Sequence, residues 1–330
     1  MDKIPLIILG GFETDKKKIE KKNNKFLKRY GVHYLEGPAK PITIKINDEY
    51  IVQKVRNEFA NSKYFDENRI FLVGPQWLYE NRLDGFNFVN YNNGMIGNLE
   101  RAFKEIGGGV VGITTSDIPL VTTQSIYSYV SGVKGLLHDP NLHFIVQMFD
   151  DNFALKDFRT PYKKPTYKLR ISKHKNAQRL ALGHLHFCNI DNVSTAELQA
   201  GQAGYNVRGE NGVEKLSDVV DFAFKNKHLG MKNLAVGLSN LPYYGIKFLI
   251  NRLTLDDLGG FIQKMLIDKE YLKRQPNKIH FRVEYKPDFA FDLDTIEEVK
   301  EFGAEYTPIE KVVGMEYDKI LEKSTISNSQ

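Results

Sequence analysis

The sequence predicts an α/β fold with a mostly parallel, Rossmann-like sheet covered by helices. Short apolar runs rich in β-branched residues, such as 4–9 and 110–113, end in glycine or polar turn residues. Such runs are typical of strands that are buried on both faces. Segments such as 50–60 and 98–106 have their apolar residues at helical spacing. Alternating strands and helices favour a parallel sheet, because parallel strands need a crossover connection.

The same patterns give the order of elements along the chain. The predicted strands are 4–9, the alternating segment 42–46, 69–73, 86–89, 110–113, 143–149, 280–285 and 289–293. The predicted helices are 50–60, 98–106, 123–137 and 295–302, with mostly helical patterns from 195 to 269.

The composition describes an ordinary globular protein. Of the 330 residues 42% are hydrophobic, which is enough for one large domain or two small ones. The net charge of +5 is mild and does not by itself indicate nucleic acid, since a polyphosphate site would gain from it too. Cys188 is the only cysteine, which fits a reducing compartment. No stretch approaches the roughly 20 apolar residues of a membrane helix. We therefore expect a cytoplasmic protein with no membrane partner.

The stretch 107–121, GGGVVGITTSDIPLV, carries the clearest functional signal. Its apolar run at 110–113 leads to Ser116 and Asp117, and Pro119 stops the strand because proline cannot donate to a sheet ladder. Asp117 should therefore lie just past the carboxyl end of a central strand, where open α/β sheets bind ligands. A carboxylate there suits a hard divalent cation that also holds phosphates. The alternative, in which Asp117 only caps the following turn, stays open.

A second pair of acids lies near the end of the chain. Asp292 and Asp294 are two residues apart and share a face if 289–293 is a strand. Thr295 is the predicted N-cap of the helix that follows. The Asp294 carboxylate can join that cap by accepting hydrogen bonds from the free helix amides. Asp292 is therefore the better partner for Asp117 at a metal ion, and Asp294 is the weaker candidate.

Two basic segments, 13–29 and 159–178, can be interpreted in more than one way. The favoured interpretations are a solvated helix or mobile loop for the first and an exposed hairpin or edge strand for the second. A lid over phosphates or an RNA-binding surface is the alternative. We favour solvated surface, or the walls of a polyphosphate site, so nucleic acid is not the expected partner.

His184, His186 and Cys188 alternate and would share one face of an extended segment. This spacing permits a transition-metal site. A strand that faces an acceptor cleft, or plain packing, is the favoured interpretation.

Several pieces in order resemble one family, the nucleotidyltransferases of the molybdenum-cofactor guanylyltransferase-like superfamily. They are Leu9-Gly10-Gly11 after the first strand, Lys40-Pro41, Ser116-Asp117-Ile118-Pro119-Leu120 and Phe291-Asp292-Leu293-Asp294-Thr295. Asn93-Gly94 followed by Asn98-Leu99 is similar to the family's nucleotide-contacting turn. The resemblance implies a glycosyltransferase-A-type α/β fold. It also implies Mg²⁺-dependent transfer of a nucleoside monophosphate from a nucleoside triphosphate to a phosphorylated small-molecule acceptor, with release of pyrophosphate.

The resemblance also implies roles for individual residues. Lys40 and Asp117 would be catalytic; Leu9, Gly10, Gly11, Lys40, Asn93, Gly94, Asn98 and Ser116 would bind nucleotide; Asp117, Asp292 and, as the weaker candidate, Asp294 would hold the metal. The sequence departs from the family pattern at 12–39, where the family usually has a basic residue soon after the glycines and its next lysine about a dozen residues on. One of Lys16, Lys17, Lys18 and Lys25 could therefore replace Lys40 as the cation that clamps the phosphates.

The predicted domain organisation follows from this pattern. Residues 1–150 would form the nucleotide-binding core and 151–279 a largely helical insertion on the acceptor side. Strands and a helix in 280–320 would complete the core, and 321–330 would be a disordered tail.

Two other functions stay open at this point. The first is a glycosyltransferase on the same fold that uses a finished nucleotide-sugar. That class usually has two acids as Asp-x-Asp after the central strand, and Ser116-Asp117-Ile118 has one. The second is a nucleotide-binding module without catalysis.

Overall fold

The computed structural model describes most of the chain. The described residues are 2–11, 15–35, 40–91, 94–150, 167–193, 243, 247, 250–266 and 279–327, with the backbone alone for 261–266 and 325–327. Within this part of the chain, no helix is both long and apolar enough to cross a membrane.

Twelve strands are present in the described residues. They are β1 (Ile4–Leu9), β2 (Ile44–Ile46), β3 (Glu49–Tyr50), β4 (Phe65–Gly74), β5 (Asn87–Asn90), β6 (Val110–Thr115), β7 (Phe144–Asp150), β8 (Tyr167–Arg170), β9 (Ala177–Leu182), β10 (Leu185–Asn189), β11 (Ile279–Glu284) and β12 (Glu305–Tyr306).

The helices of the described residues lie between these strands, except for the last two, which follow β12. They are α1 (Lys16–Tyr30), α2 (Lys40–Thr43), α3 (Ile51–Asn61), α4 (Gln76–Tyr79), α5 (Gly94–Ile106), α6 (Thr123–Leu137), α7 (Leu255–Leu266), α8 (Ile296–Glu301), α9 (Ile309–Val313) and α10 (Tyr317–Ser327). A 3₁₀ turn at Pro287–Phe289 precedes α8.

Nine of the described strands form one mixed sheet in the order β5-β4-β1-β6-β10-β7-β9-β8, with β11 paired to β7. The half that contains β5, β4, β1 and β6 is parallel throughout. Its four carboxyl ends therefore lie at one edge, as the strand–helix alternation of the sequence predicts. The predicted strand 4–9 and the predicted helix 123–137 have the bounds that the structure shows.

An antiparallel strand lies in the middle of this sheet. β10 pairs with β6 on one side and with β7 on the other, so Leu185 lies opposite Thr114 near the carboxyl end of β6. These residues fall in the predicted insertion 151–279, and in its described part β8, β9 and β10 all belong to the main sheet. The alternation in β10 is weak because most of its residues are buried on both faces.

Aromatic side chains fix β10 in the core. Phe187 is fully buried, and its ring stacks on Phe65, with centroids 6.2 Å apart, and on Tyr129, with centroids 6.1 Å apart. Phe65 belongs to β4 and Tyr129 to α6, so one side chain joins two strands of the sheet to a covering helix. The space for this stack depends on Gly112, where a Cβ would lie 2.6 Å from the Phe65 ring.

Three local predictions differ from the structure. Residues 40–43 form the short helix α2 and not an extended segment, and strand β2 begins at Ile44. Residues 289–293 are not a strand, because Pro287 begins a 3₁₀ turn and the Leu293 N–H donates to the Asp117 carbonyl, 3.0 Å away, outside any ladder. The predicted disordered tail is a helix as far as Ser327, held by the buried side chains of Ile320 and Leu321.

Phe187→Ala tests the central position of β10. Removing a fully buried aromatic side chain from a stack should cost about 3–5 kcal/mol of unfolding free energy, measured by urea denaturation. Leu27→Ala is the control, because Leu27 is 50% exposed, and it should change stability by less than about 0.5 kcal/mol. A loss below about 1 kcal/mol for Phe187→Ala would contradict the placement of this strand.

Candidate functional site

The ends of β1 and β6 form the floor of the candidate site. Leu9 lies beside Thr115 in the parallel register, and the Ser116 N–H donates to the Leu9 carbonyl, 3.3 Å away. Gly10 follows β1, and its N–H donates to the Val73 carbonyl at 2.9 Å. A Cβ at Gly10 would lie 2.8 Å from that carbonyl oxygen, so no side chain fits. Gly11 has a φ of 56° in the left-handed region, which glycine adopts most readily.

Backbone hydrogen bonds bring two distant segments to this edge. The Leu293 N–H donates to the Asp117 carbonyl, which ties the chain before α8 to the end of β6. The Leu35 N–H donates to the Asp294 carbonyl at 2.9 Å, and Tyr34 pairs with Thr295 in an antiparallel bridge. The segment before α2 and the segment before α8 therefore meet beside Asp117.

Three carboxylates converge at this meeting point. Asp117, Asp292 and Asp294 each offer an oxygen, and these oxygens lie within 4.8 Å of one another. Lys40 lies among them: its Nζ donates to Asp117 Oδ2 and to Asp294 Oδ1, both at 2.7 Å. The three side chains in this contact are largely buried, with 14%, 12% and 22% exposed for Lys40, Asp117 and Asp294. The structure thus brings together four residues that the sequence analysis selected.

The electrostatics of the cluster follow from this contact. Burial is the largest influence on Lys40 and favours the neutral amine, but the carboxylates of Asp117 and Asp294 outweigh it and hold the lysine pKa well above its ordinary value. Burial is also the largest influence on Asp117 and favours the protonated acid, as does Asp294. Lys40, helped by His184, outweighs both, so the pKa of Asp117 lies below its ordinary value. The ammonium and the Asp117 carboxylate are therefore charged at neutral pH.

The N-terminus of α8 is capped by Thr295 and Glu298. Thr295 is the N-cap, as expected: its hydroxyl accepts from the Glu298 N–H at 3.1 Å. Glu298 completes a capping box by accepting from the N–H groups of Asp294 and Thr295. The Asp294 carboxylate also lies against Lys40, with Lys40 Nζ 2.7 Å from Asp294 Oδ1. The order of Asp292 before Asp294 as a metal ligand stays a prediction.

His184 is a site residue to which the sequence analysis gave no role at the acidic cluster. It precedes β10, and the antiparallel pairing of β10 with β6 puts it beside Thr115, with His184 Nδ1 3.2 Å from Thr115 Oγ1. His184 Nε2 lies 3.5 Å from Asp292 Oδ1. The position of His184 depends on the pairing of β10 with β6, and pairing partners are not visible in a sequence.

The nearby residues His186 and Cys188 are packed within the main sheet. The Gln147 N–H donates to His186 Nδ1 at 3.1 Å, and burial lowers the pKa of His186 to about 4. Cys188 is buried in a hydrophobic cluster with Ile7 and Val111. Among the described residues the group with metal-ligand spacing is the three aspartates, so no transition-metal site forms here.

The basic helix α1 reaches the site through one lysine. Lys22 hydrogen-bonds to the Tyr34 hydroxyl, and its Nζ lies 3.9 Å from the centroid of that ring. The Nζ of Lys40 lies 5.9 Å from the same centroid. Lys16, one of the alternatives to Lys40, instead pairs with Asp318 at 2.8 Å on the surface. The sequence analysis did not select Lys22, because its neighbours in the basic run look alike.

The remaining nucleotide-binding candidates lie further along the same edge. Gly94 is the first residue of α5, which follows β5, and its φ of 91° is in the left-handed region. Asn98 is buried on the second turn of the same helix. Asn93 lies outside the described residues. One strand, β4, lies between β5 and β1 in the sheet, so these residues flank the acidic cluster and are not part of it.

Comparisons with known proteins agree with this architecture. No protein-family model matches the sequence, and no curated protein matches it. Among solved structures, one titled as a hypothetical transferase from Thermus thermophilus has a TM-score of 0.53 at 17% identity, covering 90% of this chain and 99% of the other. Its likeness shows a shared fold, and the predicted glycosyltransferase-A-type α/β class is confirmed.

Two further solved structures are similar over most of their length. CMP:2-keto-3-deoxy-manno-octonic acid synthetase complexed with CTP has a TM-score of 0.44 at 11% identity, covering 91% of this chain and 97% of the other. The 4-diphosphocytidyl-2C-methyl-D-erythritol synthase from Anaerococcus prevotii has a TM-score of 0.43 at 9% identity, covering 91% and 96%. These scores are too low to support an argument, so the shared fold rests on the Thermus structure.

Lys40→Met should make stability depend strongly on pH. The variant leaves buried carboxylates without their cation, which should cost about 3–5 kcal/mol at pH 7. In the wild type the low pKa of Asp117 stabilises the fold at neutral pH, and this contribution is lost as pH falls through the folded-state pKa. In the variant Asp117 can take up a proton at higher pH, so the difference in unfolding free energy should shrink between pH 7 and about pH 4.

Urea denaturation at several pH values measures this difference. Lys21→Met is the control, because it removes a lysine from the exposed side of α1, and its effect should stay within about 0.5 kcal/mol. A pH-independent loss for Lys40→Met would show that the lysine stabilises the fold by packing alone.

Proposed function

We propose that this protein is a Mg²⁺-dependent nucleotidyltransferase that moves a nucleoside monophosphate from a nucleoside triphosphate to a phosphorylated small molecule and releases pyrophosphate. The observation that carries the proposal is the convergence of Asp117, Asp292, Asp294 and Lys40 beside the Gly10–Gly11 turn, at the carboxyl edge of a parallel sheet half. Ligands of open α/β sheets bind at this edge. The Thermus protein that shares the fold is titled a hypothetical transferase, which agrees with the proposal.

The donor atoms of the cluster fit a magnesium ion. They are carboxylate oxygens, which this hard cation prefers, and they come close enough to share one ion. Among the described residues, three carboxylates form the cluster and the ammonium of Lys40 contacts two of them, so a divalent cation would add to the charge neutralisation there. Asp117, Asp292 and Asp294 would hold the ion, and when bound it would neutralise charge on the triphosphate.

The residues of the chain would supply the rest of the chemistry. The backbone at Gly11 is exposed and would let phosphate oxygens approach closely, whereas Gly10 is buried beside Tyr79 and its N–H donates to the Val73 carbonyl. Lys40 can neutralise negative charge as the bond between the α- and β-phosphates breaks. An acceptor phosphate is already ionised and needs no general base, so catalysis would rest on positioning and on charge neutralisation.

A pyrophosphate-release screen tests the proposal. Each of the four common ribonucleoside triphosphates is incubated with Mg²⁺ and a panel of phosphorylated metabolites, and one pair should give pyrophosphate and a nucleotide-linked product. Asp117→Asn should reduce that rate by about 100-fold or more, since it removes a charged group at the reacting phosphates. A variant that keeps more than about a tenth of the rate would overturn the role of Asp117.

Activity with a nucleotide-sugar and no pyrophosphate would instead support the glycosyltransferase alternative. Binding of a nucleotide without turnover on any acceptor of the panel would support the non-catalytic alternative. Both outcomes use the same protein and the same nucleotide panel, so the three functions are compared directly.

Asp292→Asn and Asp294→Asn should separate metal binding from stability. Asp292 lies near His184, whereas Asp294 shares Lys40 with Asp117. Both variants should need more Mg²⁺ for half-maximal rate. Asp294→Asn should also lower the melting temperature, because Lys40 then keeps one charged partner, and Asp292→Asn should leave it nearly unchanged. Equal melting temperatures with a raised Mg²⁺ requirement in one variant alone would show that a single aspartate of the pair is a ligand.

A further inference from the structure

The ammonium of Lys40 contacts two of the three carboxylates that would hold a cation. It lies 2.7 Å from Asp117 Oδ2 and 2.7 Å from Asp294 Oδ1. These oxygens belong to two of the three carboxylates that lie within 4.8 Å of one another. A divalent ion held by the same carboxylates would compete with the ammonium for lone pairs and would repel it at short range. An ion that took these same two oxygens would therefore displace the ammonium of Lys40.

We propose that Lys40 is an exchangeable internal cation, which neutralises the aspartates while the metal is absent and moves to a phosphate of the nucleotide when the metal enters. This inference rests on the proposed function, because that function supplies the metal ion and the nucleotide phosphate that the exchange requires. Lys40 would have two alternative sets of partners, the aspartates or a phosphate of the nucleotide. Its position would then decide when the site can bind an ion.

The surroundings of Lys40 allow its side chain to move while its backbone stays. Lys40 is the first residue of α2, and the next residues, Pro41 and Ile42, are buried in the structure. The lysine side chain is a flexible four-carbon stem that ends in a compact charge, so the ammonium can change partners by rotation about side-chain bonds.

The exchange would couple two binding events. An ion that enters without a polyphosphate must displace Lys40 from two short ion pairs and leave the ammonium without an anionic partner. An ion that enters with a polyphosphate gives the ammonium new partners, so each ligand should raise the affinity for the other. The protein would thereby avoid holding a free metal ion in the absence of nucleotide.

The first test measures Mn²⁺ binding to the full-length protein by electron paramagnetic resonance, with no nucleotide present. Lys40→Met should bind Mn²⁺ at least about fivefold more tightly than the wild type, a factor at the low end of coupling between sites. Lys21→Met removes the same charge from an exposed site on α1 and should bind like the wild type. Equal or weaker Mn²⁺ binding by Lys40→Met would overturn the inference.

The second test uses the wild type, so it decides the question even if Lys40→Met does not fold. An amine-acetylating reagent is added with and without saturating Mg²⁺, and the modified lysines are counted by mass spectrometry. Lys40 should be protected in the metal-free protein and become severalfold more reactive with Mg²⁺, while Lys21 stays constant. Unchanged or reduced reactivity of Lys40 would overturn the inference.

The two proposals fail in different ways. Metal-dependent exposure of Lys40 with no transfer from any nucleoside triphosphate would contradict the proposed function and support the exchange. Transfer activity with a Lys40 that stays protected in Mg²⁺ would contradict the exchange and support the proposed function.

Discussion

The ion pairs of Lys40 with Asp117 and Asp294 are the interaction on which the candidate site depends. The lysine is 77 residues from one partner and 254 from the other, so the contact joins three distant parts of the chain. Largely buried charges are tolerated when they are paired closely, and here one ammonium satisfies two carboxylates. Removing any member would leave a charge in a place that water hardly reaches.

The backbone supports this contact from both sides. The bonds from Leu293 to Asp117 and from Leu35 to Asp294 hold the two acidic segments at fixed positions. The capping box of Thr295 and Glu298 satisfies the free amides of α8, so the carboxylate of Asp294 can face the site. Backbone hydrogen bonds therefore position the acidic side chains at this edge of the sheet.

The antiparallel strand β10 positions His184 at the candidate site. Because it runs opposite to β6, its first residues lie at the edge where the parallel strands end, and His184 comes to lie between Thr115 and Asp292. The stacked rings of Phe65, Phe187 and Tyr129 hold that strand in place. The packing of the core and the composition of the site thus depend on one strand.

The sequence by itself determined the parallel half of the sheet and the position of Asp117, because apolar runs and turn residues are local signals. It also determined the N-cap at Thr295, since a cap is read from neighbouring residues. Only the tertiary structure decided that β10 enters the sheet, that Lys22 contacts Tyr34, and that Asp294 faces Lys40. Each of these depends on contacts between residues far apart in the chain, and a pattern of period two or 3.6 carries no information about such partners.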